Sequence, residues 1–97
     1  MQSYEMMLVF NPQLDEDEAM EAILQRLQGI ITDDGGEITK LDKWGKRRLA
    51  YEIRDFTEGF YVVMQFRVGT AGVEELQRIV GITPDIIRHL LVRIEEK

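Results

Sequence analysis

The side chains able to do chemistry are few, and their contexts exclude most reactions. The one imidazole, His89, lies inside the strand-like run "IIRHLLVRI". A lone strand histidine reads as a surface or satisfied group rather than a catalytic one. The hydroxyls of Ser3, Thr32, Thr39, Thr57, Thr70 and Thr83 stand in no nucleophile context such as G-x-S-x-G. The acidic run "DEDE", Asp15–Glu18, lacks the glycine and the spacing of a calcium loop. At the start of a helix such carboxylates complement the macrodipole. "DDGGE" carries no phosphate-binding pattern, and its acids would repel a phosphate. With no cysteine there is neither a disulfide framework nor a thiolate metal site. We therefore expect no enzyme, no cofactor, no metal and no small-molecule substrate.

What remains is charge. The 97-residue chain has a formal net charge of −6, but the average hides a segregation. Residues 40–54 carry +4 and the other 82 carry −10. The basic segment holds "WGKRRLAYEI" at positions 44–53. Lysine and arginine neutralise phosphates, and the planar guanidinium binds them bidentately. A basic loop with an aromatic beside it, held by a strand, suits a nucleic-acid backbone. Lys43, Trp44, Lys46, Arg47, Arg48 and Arg54 are the candidates. On composition alone a solvated, charged hairpin tip fits as well.

The elements that must carry these residues follow from periodicity. The length suits one domain, residues 1–97, with a two-layer core. No stretch is long and apolar enough for a membrane span, and "MQSYEMMLVF" lacks a basic leader, so a soluble, intracellular chain is expected. A strand is predicted over Ser3–Phe10, stopped by Asn11-Pro12. A helix follows over Asp15–Thr32, with Asp15 and Glu18 spaced as a capping box. Its apolar stripe is Ala19, Ile23, Leu27, Ile30 and Ile31, and Gly35-Gly36 ends it. A long strand spans Glu37–Ile53, with Gly45 marking a bulge or loop. "FTEG" reads as a turn and Gly59–Val68 as the third strand. A second helix starts with Thr70 as N-cap, shows the stripe Val73, Leu76, Ile79 and Val80, and stops at Gly81. "DIIRHLLVRIEEK" is the last strand with a short charged end.

The order β-α-β-β-α-β predicts an α+β, ferredoxin-like split β-α-β fold: a four-stranded antiparallel sheet with two helices on one face. Alternation turns Phe60, Val62, Met64, Phe66 and Val68 toward the helices. It leaves Met7, Val9, Tyr61 and Val63 on the uncovered face. The last strand adds His89, Leu91 and Arg93 there, if Leu90, Val92 and Ile94 face inward. This apolar patch with a polar rim is a candidate partner-binding surface, although any open sheet face shows some apolar area. In the basic strand, Arg47, Leu49, Tyr51 and Ile53 share one face, and Lys46, Arg48 and Ala50 the other. We expect Leu49, Tyr51 and Ile53 to hold the strand to the core, while Lys46, Arg48 and Arg47 carry charge outward.

"EGFYVVMQF" approaches the central strand signature of RNA-recognition motif domains but misses its stacking positions, with Tyr61 and Val62 where a small residue and an aromatic belong. "GKRRLAYEIR" fits another pattern. It resembles the signature of the bacterial ribosomal protein S-six family: Gly45, Arg47, Arg48, Leu49, Ala50, Tyr51, Ile53 and Arg54 all match. Tyr4-Glu5, Asn11-Pro12, the Gly35-Gly36 pair, Trp44-Gly45 and "IIRHLLVR" are similar too, so the resemblance spans the chain. Gln2 and Glu52 depart from the family's usual Arg and Pro. The resemblance implies a cytoplasmic, ribosome-associated protein without catalytic activity. It would bind the central domain of small-subunit ribosomal RNA together with ribosomal protein S-eighteen, and it would be monomeric when isolated. A homodimeric module or a small-ligand-binding domain of the same fold is the alternative.

Overall fold

The computed structural model describes residues 1–94. The charged end expected after the last strand lies outside them. Four strands are present: β1 (Gln2–Phe10), β2 (Glu37–Ile53), β3 (Phe56–Val68) and β4 (Ile86–Ile94). Helix α1 spans Glu21–Asp33 and α2 spans Thr70–Ile82. The strands pair antiparallel in the order β2-β3-β1-β4, so β2 and β4 form the two edges. This is the ferredoxin-like arrangement, with both helices packed on one side.

The core lies between sheet and helices. Met6, Leu8 and Phe10 of β1 and Val62, Met64, Phe66 and Val68 of β3 are almost wholly buried. The predicted alternation on both central strands therefore holds, and so does the stripe Val73, Leu76, Ile79 and Val80 of α2.

The first helical segment differs from its prediction. Asp15 is the N-cap, accepting from the N–H groups of Asp17 at 2.8 Å and Glu18 at 3.3 Å. The next turn, Glu16–Met20, is π-helical, with Met20 N–H donating to Asp15 O at 2.9 Å. The buried line is Met20, Leu24, Leu27 and Ile31, with Ile23 and Ile30 packed at its margin. Leu27 and Ile31 belong both to the predicted stripe and to the buried line, while Met20 and Leu24 take the places predicted for Ala19 and Ile23. Gly35, at φ +78°, ends the segment as expected.

Both ends of α2 are also corrected. Its N-cap is Gly69, not Thr70. The Gly69 N–H donates to Asp34 Oδ2 at 2.8 Å, so a carboxylate just after α1 caps the start of α2. At the other end the helix runs through Gly81 to Ile82. Pro84 forces Thr83 out of the helical region, and Thr83 is extended with its Oγ donating to Ile79 O at 2.6 Å.

Candidate nucleic-acid interface

Pairing along β2 departs from regularity at three places, near Thr39, at Trp44 and beyond Arg48, and the last two shape the basic segment. Lys43 pairs with Val62 and Gly45 with Tyr61, which makes Trp44 an extra residue in a bulge. Gly45 at φ +80° takes the left-handed conformation this bulge needs. The bulge brings Trp44 over the open face, where its ring stacks on Tyr61 with centroids 6.3 Å apart and planes within 5°.

The last departure is larger. Arg48 pairs with Glu58 and Ile53 with Phe56, so residues 49–52 of β2 lie opposite Thr57 alone. The chain reverses at Arg54 and Asp55, which hold φ values of 50° and 67°. The turn is therefore these two residues, and the predicted turn "FTEG" is strand. The surplus length makes an arm, residues 49–55, that folds over the open face. Leu49 is buried there with Val9 and Ile87, flanked by Ile53, Phe56 and Tyr61. Leu49 and Ile53 thus anchor β2 to a second, smaller core on the uncovered side. The third expected anchor, Tyr51, is 61% exposed, and its ring lies beside Arg88 of β4.

Register distributes the basic residues. Lys43, Lys46 and Arg48 pair with Val62, Phe60 and Glu58, which puts them on the helix side of β2. Lys43 Nζ meets Glu21 Oε2 of α1 at 2.5 Å. Lys46 Nζ lies 5.2 Å from the centroid of the Phe60 ring. Arg47, opposite Gly59, faces the other way; its Cζ lies 5.9 Å from the Trp44 ring centre. Arg54 Nη1 donates to Pro84 O at 3.4 Å. Arg48 is exposed, and among the described residues its guanidinium makes no hydrogen bond or ion pair. It is the least committed cation of the group.

The open face is partly as predicted. Met7, Tyr61 and Val63 lie on it half-buried, and Val9 is covered by the arm. The last strand is corrected. Phe10 pairs with Ile86 but Val9 with Arg88, so Ile87 is an extra residue and alternation slips by one. Leu91 therefore lies opposite Met6 and packs on the main core. His89 and Arg93 share its side, opposite Leu8 and Tyr4, and Arg93 Nη2 donates to Gln2 Oε1 at 2.7 Å. Leu90 and Val92, 48% and 47% exposed, take the places predicted for His89, Leu91 and Arg93. With Glu5, Met7, Trp44 and Val63 they line a shallow apolar hollow. The adjacent pair Ile86-Ile87, both buried, is the break in alternation that signals the bulge.

Comparison with known proteins fixes the family. A family model described as Ribosomal protein S6 matches residues 3–93. This chain belongs to that family. It is 45% identical over 93 residues to small ribosomal subunit protein bS6 of Carboxydothermus hydrogenoformans, covering 96% of each chain. The bS6 protein of Desulforudis audaxviator is 46% identical over 93 residues, with 96% of this chain and 98% of that one covered. The crystal structure of 30S ribosomal protein S6 from Thermotoga maritima superposes with a TM-score of 0.87 at 36% identity, covering 96% of this chain and 87% of that one. As an S-six protein the chain is a structural constituent of the small ribosomal subunit, and ribonucleoprotein assembly and translation follow from the family. S-six proteins are not an enzyme family. Among the described residues no group of acidic or imidazole side chains is placed to hold a metal ion, and no helix is long and apolar enough to cross a membrane.

Proposed function

We propose that this chain binds the central domain of small-subunit ribosomal RNA through the basic part of β2 and its arm, and docks ribosomal protein S-eighteen on the open sheet face. The observation that carries the RNA reading is Arg48: an exposed, unengaged guanidinium on an edge strand, beside Lys46 and in the only basic segment of an acidic chain. Among the described residues, a phosphate there displaces no hydrogen bond or ion pair. Arg47 and Trp44 lean onto the open face and belong to the seam between RNA and partner. Lys43, paired with Glu21, contributes less. Leu90, Val92, Trp44, Met7 and Val63 offer the apolar surface that S-eighteen would cover. In isolation the chain is monomeric, and in the cell it is cytoplasmic within the ribosome.

The net charge of −6 opposes tight binding to RNA by this chain alone, so the partner supplies the remaining cations. The direct test is the salt dependence of RNA binding by the chain–partner pair. Replacing Arg48 by Ala should lower the slope of log K against log salt by about one phosphate's worth. An unchanged slope would mean that Arg48 is merely solvated. Sizing of the isolated chain checks the other half: a stable homodimer would give the open face to a second copy.

A further inference from the structure

The strands at opposite edges of the sheet touch. The guanidinium of Arg88, on β4, donates to the hydroxyl of Tyr51, at the end of β2, and its Cζ lies 5.6 Å from the centre of that ring. Two strands, β3 and β1, separate these edges in the sheet. Only an arm folded across the open face brings Tyr51 so far. We propose that Arg88 is a positioning residue for RNA binding, acting as a clasp that fixes the basic arm. The proposal rests on the RNA reading above.

Three observations meet at this contact. First, the arm is poorly held by the sheet itself, because residues 49–52 have no ladder partners on β3. A segment without such bonds swings unless something else holds it. Second, the small core beneath it is built, among the described residues, on the three buried side chains of Val9, Leu49 and Ile87. A hollow remains between arm and sheet, lined by Met7, Val9, Leu49, Tyr51, Tyr61 and Arg88 among others. Apolar contact there sets where the arm lies but is too small to set its angle. Third, the bulge at Ile87 puts both Ile87 and Arg88 on the open side, one beneath the arm and one against its outer ring. A regular strand would turn Arg88 away. The Arg54–Pro84 contact ties the tip to the residues just before β4, so both ties run from the arm to the same edge.

The clasp joins the arm, which carries Arg54 and leads directly from Arg48, to a strand of the main sheet. Breaking it should leave the core intact and enlarge the arm's range. An arm that must be ordered on binding costs affinity without any lost phosphate contact.

Tyr51→Phe removes the hydroxyl and keeps the ring. Arg88→Ala removes its donor, and Arg88→Lys keeps the charge. Binding of the chain with S-eighteen to a transcript of the central domain should weaken about threefold to tenfold for Tyr51→Phe and for Arg88→Ala. The double variant should be no weaker than Arg88→Ala, because both remove one interaction. Amide exchange at residues 50–55 of the free chain should rise in each, with an unchanged thermal transition. Additive losses would make Arg88 a direct phosphate ligand and overturn the clasp. A silent Tyr51→Phe in both binding and exchange would overturn it too. Arg48→Ala in the same assay separates the two readings. If that variant weakens binding while Tyr51→Phe does not, only the clasp fails. If neither weakens binding but arm exchange rises, the clasp stands as a structural device and the RNA reading fails.

Discussion

Arg47 is folded back onto Trp44. Its Nε donates to the Trp44 carbonyl at 3.4 Å and its guanidinium carbon lies 5.9 Å from the indole centre. The neighbouring Arg48 points to the other side of the strand. Two adjacent arginines in one sequence motif thus address different surfaces. Arg47→Ala should weaken S-eighteen binding in the absence of RNA by about 1 kcal/mol, the scale of an exposed cation–π contact. Arg48→Ala should leave that affinity unchanged. Titration calorimetry with the purified partner measures both, and equal losses would remove the division.

The turn at Arg54-Asp55 holds two non-glycine residues in left-handed conformation. A two-residue turn of this kind favours Asn-Gly. Asp55→Gly should therefore stabilise the chain by about 1 kcal/mol in urea unfolding, with RNA affinity retained. Arg54→Gly should also relieve strain, yet lose RNA affinity if its side chain meets a phosphate. Strain kept where a cation is needed fits a functional position. Retained affinity in Arg54→Gly would assign that arginine to the Pro84 contact alone.

Gly81 lies within α2 and faces open space, with nothing inside 4 Å of the position a Cβ would take. Gly81→Ala should raise stability by roughly 0.5–1 kcal/mol, because alanine loses less backbone freedom on folding. A chemical-denaturation midpoint that fell instead would show that the helix ends before this residue.

Arg78 holds the Glu75 carboxyl below the ordinary glutamate range, chiefly through its hydrogen bond and further through its charge. A carboxyl lowered by folding adds stability above its unfolded pKa and loses it as pH falls through the folded value. Glu75→Gln should therefore be slightly less stable than the parent chain at neutral pH. The gap should close on acidification below the usual carboxylate range. Arg78 is exposed and Glu75 partly so, which makes the effect small and salt-sensitive. Melting curves from neutral to acidic pH at low salt measure it, and a gap that widens in acid would reverse the sign.

The fold was legible because local patterns and order agreed. Met6, Leu8 and Phe10 alternate cleanly, as do Phe60 through Val68, and the two glycine-ended or proline-ended helices separate them. The site was legible only in its charge. Its facing depended on bulges, and a bulge shifts every later side chain by one position. The Gly45 bulge was visible as a glycine within a strand. The Ile87 bulge was not, because two isoleucines at a strand start also read as ordinary core. That one residue exchanged Leu91 for Leu90 on the open face. The arm was hidden for a different reason. Tyr51 finds Arg88 through tertiary contact across the sheet, and nothing in the spacing of positions 51 and 88 announces it. The Asp34 cap of α2 is the same kind of long-range partner, 35 residues from the N–H it accepts.

RNA binding by this S-six chain is expected to be shared with S-eighteen. One measurement addresses it most directly: the affinity of a central-domain transcript for the chain alone, for S-eighteen alone and for the two together, at one salt concentration. Binding by the chain alone should be weak, with a coupling of about 1–3 kcal/mol when both are present. Tight binding by the chain alone, unchanged when S-eighteen is added, would contradict it.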